Sequence, residues 1–383
     1  MPVRPPHSHA LRALLCLLMV VVMIGCSLHS AFAAKPPALE VLFQLPLAPA
    51  GLTMVPNGNY LLSVSFEQRP QNRIVEINKK GESKPFPNES VSQAAPGDPL
   101  QLDAIEGMQA DKHGIVWMID HGRRSEITPK VVAWDYDKNR LQRVIHLGAP
   151  AILPSSLLDD LVLDPETPFI YIGDPASGPD AALIVLDLNT GMARRVLQGH
   201  PSVLANPGLE LIIDHQPQVT KRLDGTITDP QGGINPIAID RKGEWLYFGP
   251  MRSTWLFRIR TEHLRNDLLS AEQLASHVEQ YASKPLCNGI TIDAKNNIYV
   301  SDLAAKSIGM ITAGSKQYTH LITDPRLLWP DGLCFGTDGK LYFFNNASKL
   351  YNVGAAIAPL GSPPPATNYL FRIQTPASGR VGD

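Results

Sequence analysis

One unit recurs six times along this chain, and no other feature narrows its fold as much. Each copy has a small or polar residue, an apolar strand ending near Asp, a turn with Gly or Asn, and a second strand rich in aromatic residues. The copies open at Ala50-Gly51-Leu52, Glu106-Gly107-Met108, Asp159-Asp160-Leu161, Asn235-Pro236-Ile237, Asn288-Gly289-Ile290 and Asp331-Gly332-Leu333. The second strands include Tyr60-Leu61-Leu62, Val116-Trp117-Met118, Ile170-Tyr171-Ile172, Leu246-Tyr247-Phe248, Ile298-Tyr299-Val300 and Leu341-Tyr342-Phe343. Asn, Asp and Gly at the intervening turns supply the backbone that tight hairpins need. Successive copies start 56, 53, 76, 53 and 43 residues apart, room for one four-stranded blade plus loops in each.

The pattern predicts an all-β fold, a six-bladed β-propeller in one domain over 34–383. Third strands follow each hairpin, beginning with Arg73-Ile74-Val75 and ending with Leu370-Phe371-Arg372. The last copy runs out of chain after its third strand, and Leu39-Glu40-Val41-Leu42-Phe43 is predicted to close the ring by supplying the missing fourth. Two insertions stand out: 199–233 is a long loop, and 261–283 reads as one short helical insertion with Leu264, Leu268, Leu269, Leu274 and Val278 on its packed face.

The first 33 residues read as a signal peptide. Arg4 and Arg12 precede the apolar run Ala13 to Gly25, and Ala31-Phe32-Ala33 offers a cleavage site. An uncleaved anchor and lipidation at Cys26 are the alternatives. A secreted or periplasmic protein is expected, with no membrane contact after leader removal. Only Cys287 and Cys334 then remain. They sit one residue before and three after their copies' first residues, an offset of about 13 Å along a strand. A disulfide needs Cα atoms within about 7 Å, so two free thiols are predicted. A net charge of −2 with no long charge run gives no footprint for nucleic acid. No G-x-S-x-G, phosphate loop or dinucleotide fingerprint occurs.

In a propeller the innermost strands surround a channel and all begin on one face. The residues opening them are Ala50, Glu106, Asp159, Asn235, Asn288 and Asp331, five of which carry a side-chain oxygen. Clustered carboxylates repel one another and favour a cation between them. A set made only of oxygens suits Ca²⁺ or Mg²⁺ rather than Zn²⁺. Fourteen or fifteen residues further on, the second strands return to that face at Val64, Asp120, Asp174, Pro250, Asp302 and Asn345. Asp120 and Asp174 are thus expected as outer ligand-binding residues, with Arg123 as a substrate contact. The competing reading is structural, because Asp and Asn ahead of a strand also bond their own backbone.

Asp160-Leu161-Val162-Leu163-Asp164, Gly233-Ile234-Asn235-Pro236-Ile237-Ala238, Leu246-Tyr247-Phe248-Gly249-Pro250 and Thr261-Glu262-His263-Leu264-Arg265 resemble the yellow/major royal jelly protein family over nearly all of the mature chain. The resemblance implies a secreted six-bladed propeller, with small amines bound in the channel of some members. Asn288-Gly289-Ile290-Thr291-Ile292-Asp293 and Pro330-Asp331-Gly332-Leu333 are similar to the gluconolactonase/regucalcin-like propellers. That resemblance implies a divalent metal on Glu106, Asn288 and Asp331, with Asn235 orienting a small-molecule ligand. Lactone hydrolysis would then be the natural reaction, with Asp159 or Asp302 as general base. The alternatives are a non-catalytic ligand-binding propeller and an interaction scaffold built on 199–233. The sequence does not fix the oligomeric state.

Overall fold

A computed structural model describes residues 1, 37–68, 70–93, 97–98, 100–122, 127–176, 178–218, 220–221, 227–228, 232–350 and 367–382. The leader and Arg123 lie outside the described residues. Residues Pro37–Asp383 form the propeller unit. No described helix is long and apolar enough to cross a membrane.

Six four-stranded antiparallel sheets are the six blades. The innermost strands are Pro49–Met54, Ile105–Ala110, Leu161–Leu163, Ile234–Ile239, Cys287–Ile292 and Pro330–Phe335. Each pairs with a second strand, the second with a third, and the third with an outer fourth. The closure expected from sequence is present: Glu40–Leu45 is the outer strand of the last blade and pairs antiparallel with Asn368–Ile373. Two ion pairs from Glu40, to Lys340 and Arg372, pin this clasp.

The two inner strands of each blade are largely buried on both faces, because each blade is sandwiched between two neighbours. Six apolar clusters result, one at each interface between blades. Cys287 lies in the cluster between blades four and five and Cys334 in the one between blades six and one. Both are free and buried, as the register predicted.

The hairpin Asp that recurs in the sequence has a structural task. Asp111 accepts from His113 N and Ile115 N across its turn, and from Trp117 Nε1 at 3.2 Å. Asp164, Asp293 and Asp338 likewise cap their turns and accept the phenolic O–H of Tyr171, Tyr299 and Tyr342. In these four blades the aromatic residue of the second strand is therefore tied to its own hairpin.

The 261–283 segment departs from the expected helix. It holds two short helices, Thr261–Arg265 and Ala271–Ser276, followed by the fourth strand of blade four, Glu279–Ser283. Open edge N–H and C=O groups on Trp255–Arg260 favour pairing there over helical propensity. Leu264 and Leu274 pack against blades three and four as expected, but Leu268 falls in the link between the helices and is 88% exposed.

The insertion after blade three lies across the face where the innermost strands begin. Leu211 and Ile213 pack with Met251, Leu303 and Trp329, which flank strands of blades four, five and six. At the opposite face the residues after the last strand turn back over the channel. Gly382 N donates to Phe335 O, and Thr53 Oγ1 donates to Gly382 O. Gly382 there lines the far end of a narrow cavity of about 60 Å³ that runs to Asp160 and Asp331.

Candidate functional site

The backbone re-aims the residues that open the innermost strands. In blades one, two, four, five and six the pairing register slips at this position, between Pro49 and Leu52, Ile105 and Met108, Ile234 and Ile237, Cys287 and Ile290, and Asp331 and Cys334. Such irregularities lift a residue out of the ladder and turn its side chain. Close approach of neighbouring blades also requires glycine beside the ring. A Cβ on Gly107 would lie 2.8 Å from Asp159 O, and one on Gly289 would lie 2.9 Å from Asp331 Oδ1.

The side chains form a chain of contacts around the channel mouth. Asn235 Nδ2 donates to Asp159 Oδ2 at 2.6 Å and reaches Asn288 Oδ1 at 3.4 Å. Asn288 Nδ2 donates in turn to Asp331 Oδ2. Glu106 completes the arc, with Oε1 3.6 Å from His121 Nε2. Phe66 packs edge-on against the His121 ring at 5.1 Å. Glu106, Asp159, Asn235, Asn288 and Asp331 thus converge, although they come from five blades.

Electrostatics show how uneasy this cluster is. Burial pushes the Asp159 carboxyl up to about 7, and repulsion from Glu106 adds to it. Asp160 is driven well upward by burial and then by Asp159. Asp331 also moves up through burial, opposed by the Lys349 ammonium. Burial lowers the His121 imidazole, but hydrogen bonding and attraction from Glu106 outweigh it and the net direction is up. Asn235 Oδ1 is buried with no hydrogen-bond partner, an arrangement that costs free energy unless something binds there.

Among the described residues no group of three or more His, Cys, Asp or Glu side chains stands ready to hold a metal. Amide oxygens are needed to complete a ligand set. The donor chemistry here fits a hard cation: Glu106 and Asp331 carboxylates, the Asn288 amide oxygen and the unpartnered Asn235 Oδ1, all oxygen.

The second-strand set is corrected by the structure. Asp120 accepts from Asp103 N, Ala104 N and Gly122 N and pairs with Lys130 at 2.8 Å. Asp174 accepts from Leu157 N and Ala176 N and pairs with Arg195 at 2.7 Å. Asp302 accepts from Ala305 N and Tyr318 Oη. These carboxylates turn into their own blades and tie the second strand to loops and outer strands. They anchor their own blades.

Two residues beside the ring carboxylates escaped the sequence reading: Asp160 and Lys349. Asp160 carried a signal, since blade three opens with Asp-Asp where others have Gly or Pro second. Lys349 sits in the 3-10 turn Ala347–Leu350 that follows the second strand of blade six.

The architecture and the acid-lined mouth define a six-bladed propeller whose polar ring lies at one end of its channel. The chain belongs to the major royal jelly protein family, whose sequence profile matches residues 105–353. No curated protein matches it in sequence. Among solved structures it is similar to a gluconolactonase from Xanthomonas campestris, at 13% identity and a TM-score of 0.55, with 90% of this chain and 93% of that one covered. A calcium-binding protein, regucalcin, from Agrobacterium tumefaciens aligns at 14% identity and 0.55, covering 91% and 97%. A luciferin-regenerating enzyme aligns at 10% identity and 0.54, covering 90% and 98%. At these identities the likeness speaks to the fold alone.

Proposed function

We propose that the ring binds a small molecule together with a hard divalent cation, Ca²⁺ or Mg²⁺, and that the molecule is a lactone which the site opens with water. The observation that carries this reading is the cluster itself: carboxylates forced upward by burial and mutual repulsion beside an amide oxygen with no partner. A dipositive ion would relieve both. Glu106, Asn288 and Asp331 would hold it, and Asn235 would orient the ligand. The cation supplies polarisation of the carbonyl and a more acidic water when bound.

Asp159 is the base this reading retains. It sits in the ring with Oδ2 2.6 Å from Asn235 Nδ2, beside the residue that would orient the ligand, and would accept a proton from water there. Water oxygen bonds to the carbonyl carbon, the ring C–O bond breaks, and the departing oxygen takes the proton from Asp159. A hydroxy carboxylate results. The leader at 1–33 supports an exported location, secreted or periplasmic, as part of the same proposal.

Binding without turnover is the second reading, favoured by the commitment of Asp302 to its blade. Elemental analysis and calcium titration of the purified protein test the cation, with Asn288→Ala/Asp331→Ala as the comparison. Wild type should carry about one ion and the double variant none. A wild type that takes up neither Ca²⁺ nor Mg²⁺ would sink the proposal. A lactone panel assayed with the metal present then separates hydrolysis from binding.

A further inference from the structure

We propose that Trp329 and Lys349 form a carboxylate-recognition subsite beside the ring, so that the ligand is a small hydroxy acid or its lactone precursor. The inference deepens the reading above and rests on the ring being a ligand site.

Trp329 is the oddest residue at the mouth. Its φ is +55°, a left-handed conformation that a bulky side chain adopts only at a cost. It is 9% exposed, and its Nε1 is buried with no hydrogen-bond partner. An indole N–H can only donate, so this atom calls for an acceptor. The residue is held where it is: Leu211 and Ile213 of the insertion pack with it, and Asn346 N donates to its carbonyl at 3.0 Å. Strain and an unmet donor both persist two residues before Asp331.

The neighbours supply charge and further polar atoms. Lys349 Nζ lies 5.9 Å from the Trp329 ring centroid, and its charge acts on Asp159, Asp160 and Asp331. Ser348 Oγ and Asn346 Oδ1 are also buried without partners. An indole N–H, a serine hydroxyl and an ammonium all donate, and a carboxylate offers two oxygens with several lone pairs to receive them. Asn346 Oδ1 asks instead for a donor, which a hydroxyl next to the carboxylate would provide. A hydroxy carboxylate carries both the acceptors and the donor that these orphan atoms lack. It is also the product that lactone opening would leave.

The test is calorimetric titration of glycolate into wild type, Trp329→Phe and Lys349→Met, with and without saturating Ca²⁺. Phenylalanine keeps an aromatic ring against Leu211 and Ile213 and removes the N–H together with the rest of the fused ring. Glycolate should bind wild type and bind each variant about tenfold more weakly or worse, while Trp329→Phe leaves Ca²⁺ affinity within twofold. Equal glycolate affinity in wild type and Trp329→Phe overturns the subsite, as does no binding to wild type in either condition. Ordered water would then satisfy these atoms. If Ca²⁺ fails to bind, the cation reading falls separately, and the metal-free glycolate comparison still decides the subsite.

Discussion

Replacing Asp159 by asparagine should make the metal-free protein more stable. The side chain keeps its shape, and Oδ1 of an asparagine can still accept from Asn235 Nδ2, now 2.6 Å from the carboxylate. Only the charge is lost. Raising a carboxyl from 3.8 to about 7 corresponds to about 4 kcal/mol against the folded state once the group ionises. The channel leaves Asp159 partly open to solvent, and screening lowers this to about 2 kcal/mol. The sign follows from linkage. Below pH 3.8 the carboxyl is protonated in both folded and unfolded chains and costs nothing. Between 3.8 and about 7 the unfolded chain ionises while the folded one holds its proton, so wild type loses stability steadily; above 7 the loss is constant. Thermal melts in EDTA should therefore show Asp159→Asn about 3 °C above wild type at pH 8, with the gap closing toward pH 4. Equal melting at pH 8, or a gap that does not change with pH, would refute the reasoning.

Three further outcomes can be checked directly. Glu106→Gln should lower the His121 pKa, because Glu106 is what overcomes burial there; an NMR titration of the imidazole reads it. Arg195→Met should cost about 3–5 kcal/mol, since Asp174 would be left as a buried unpaired charge. Adding Asp174→Asn should recover much of that in a denaturant melt. Cys287 and Cys334 should resist a thiol reagent in the native protein and both react in guanidinium, with no mass change on reduction.

The fold was legible because the blade repeat states its own geometry. In four blades the hairpin Asp and the second-strand aromatic recur together because they touch, as Asp293 and Tyr299 do. The ring was legible for the same reason: Glu106, Asn235, Asn288 and Asp331 hold equivalent positions, and the shared register slip turns them all one way. Equivalence alone misled at Asp120, Asp174 and Asp302. They too are equivalent, but a spacing of 14 or 15 residues says which face a strand returns to, not toward which neighbour its last side chain turns. The helix over 261–283 misled because an unpaired sheet edge outweighs local apolar periodicity. Lys349 was beyond reach, because only the folded chain brings its ammonium to Asp159, Asp160 and Asp331, and the left-handed backbone at Trp329 has no signature in the residue itself.

The clasp between Glu40–Leu45 and Asn368–Ile373 sets the order of events during synthesis. A segment made near the start has to wait, unpaired, for a partner made more than 300 residues later. Until then the nascent sheets form an open arc with an exposed edge at each end, a state prone to sticking to its own kind. Pairing across so wide a sequence gap is slow. Handling by chaperones before the arc snaps shut is thus a demand written into the architecture, and yields on expression should depend more on that interval than on the stability of the finished ring.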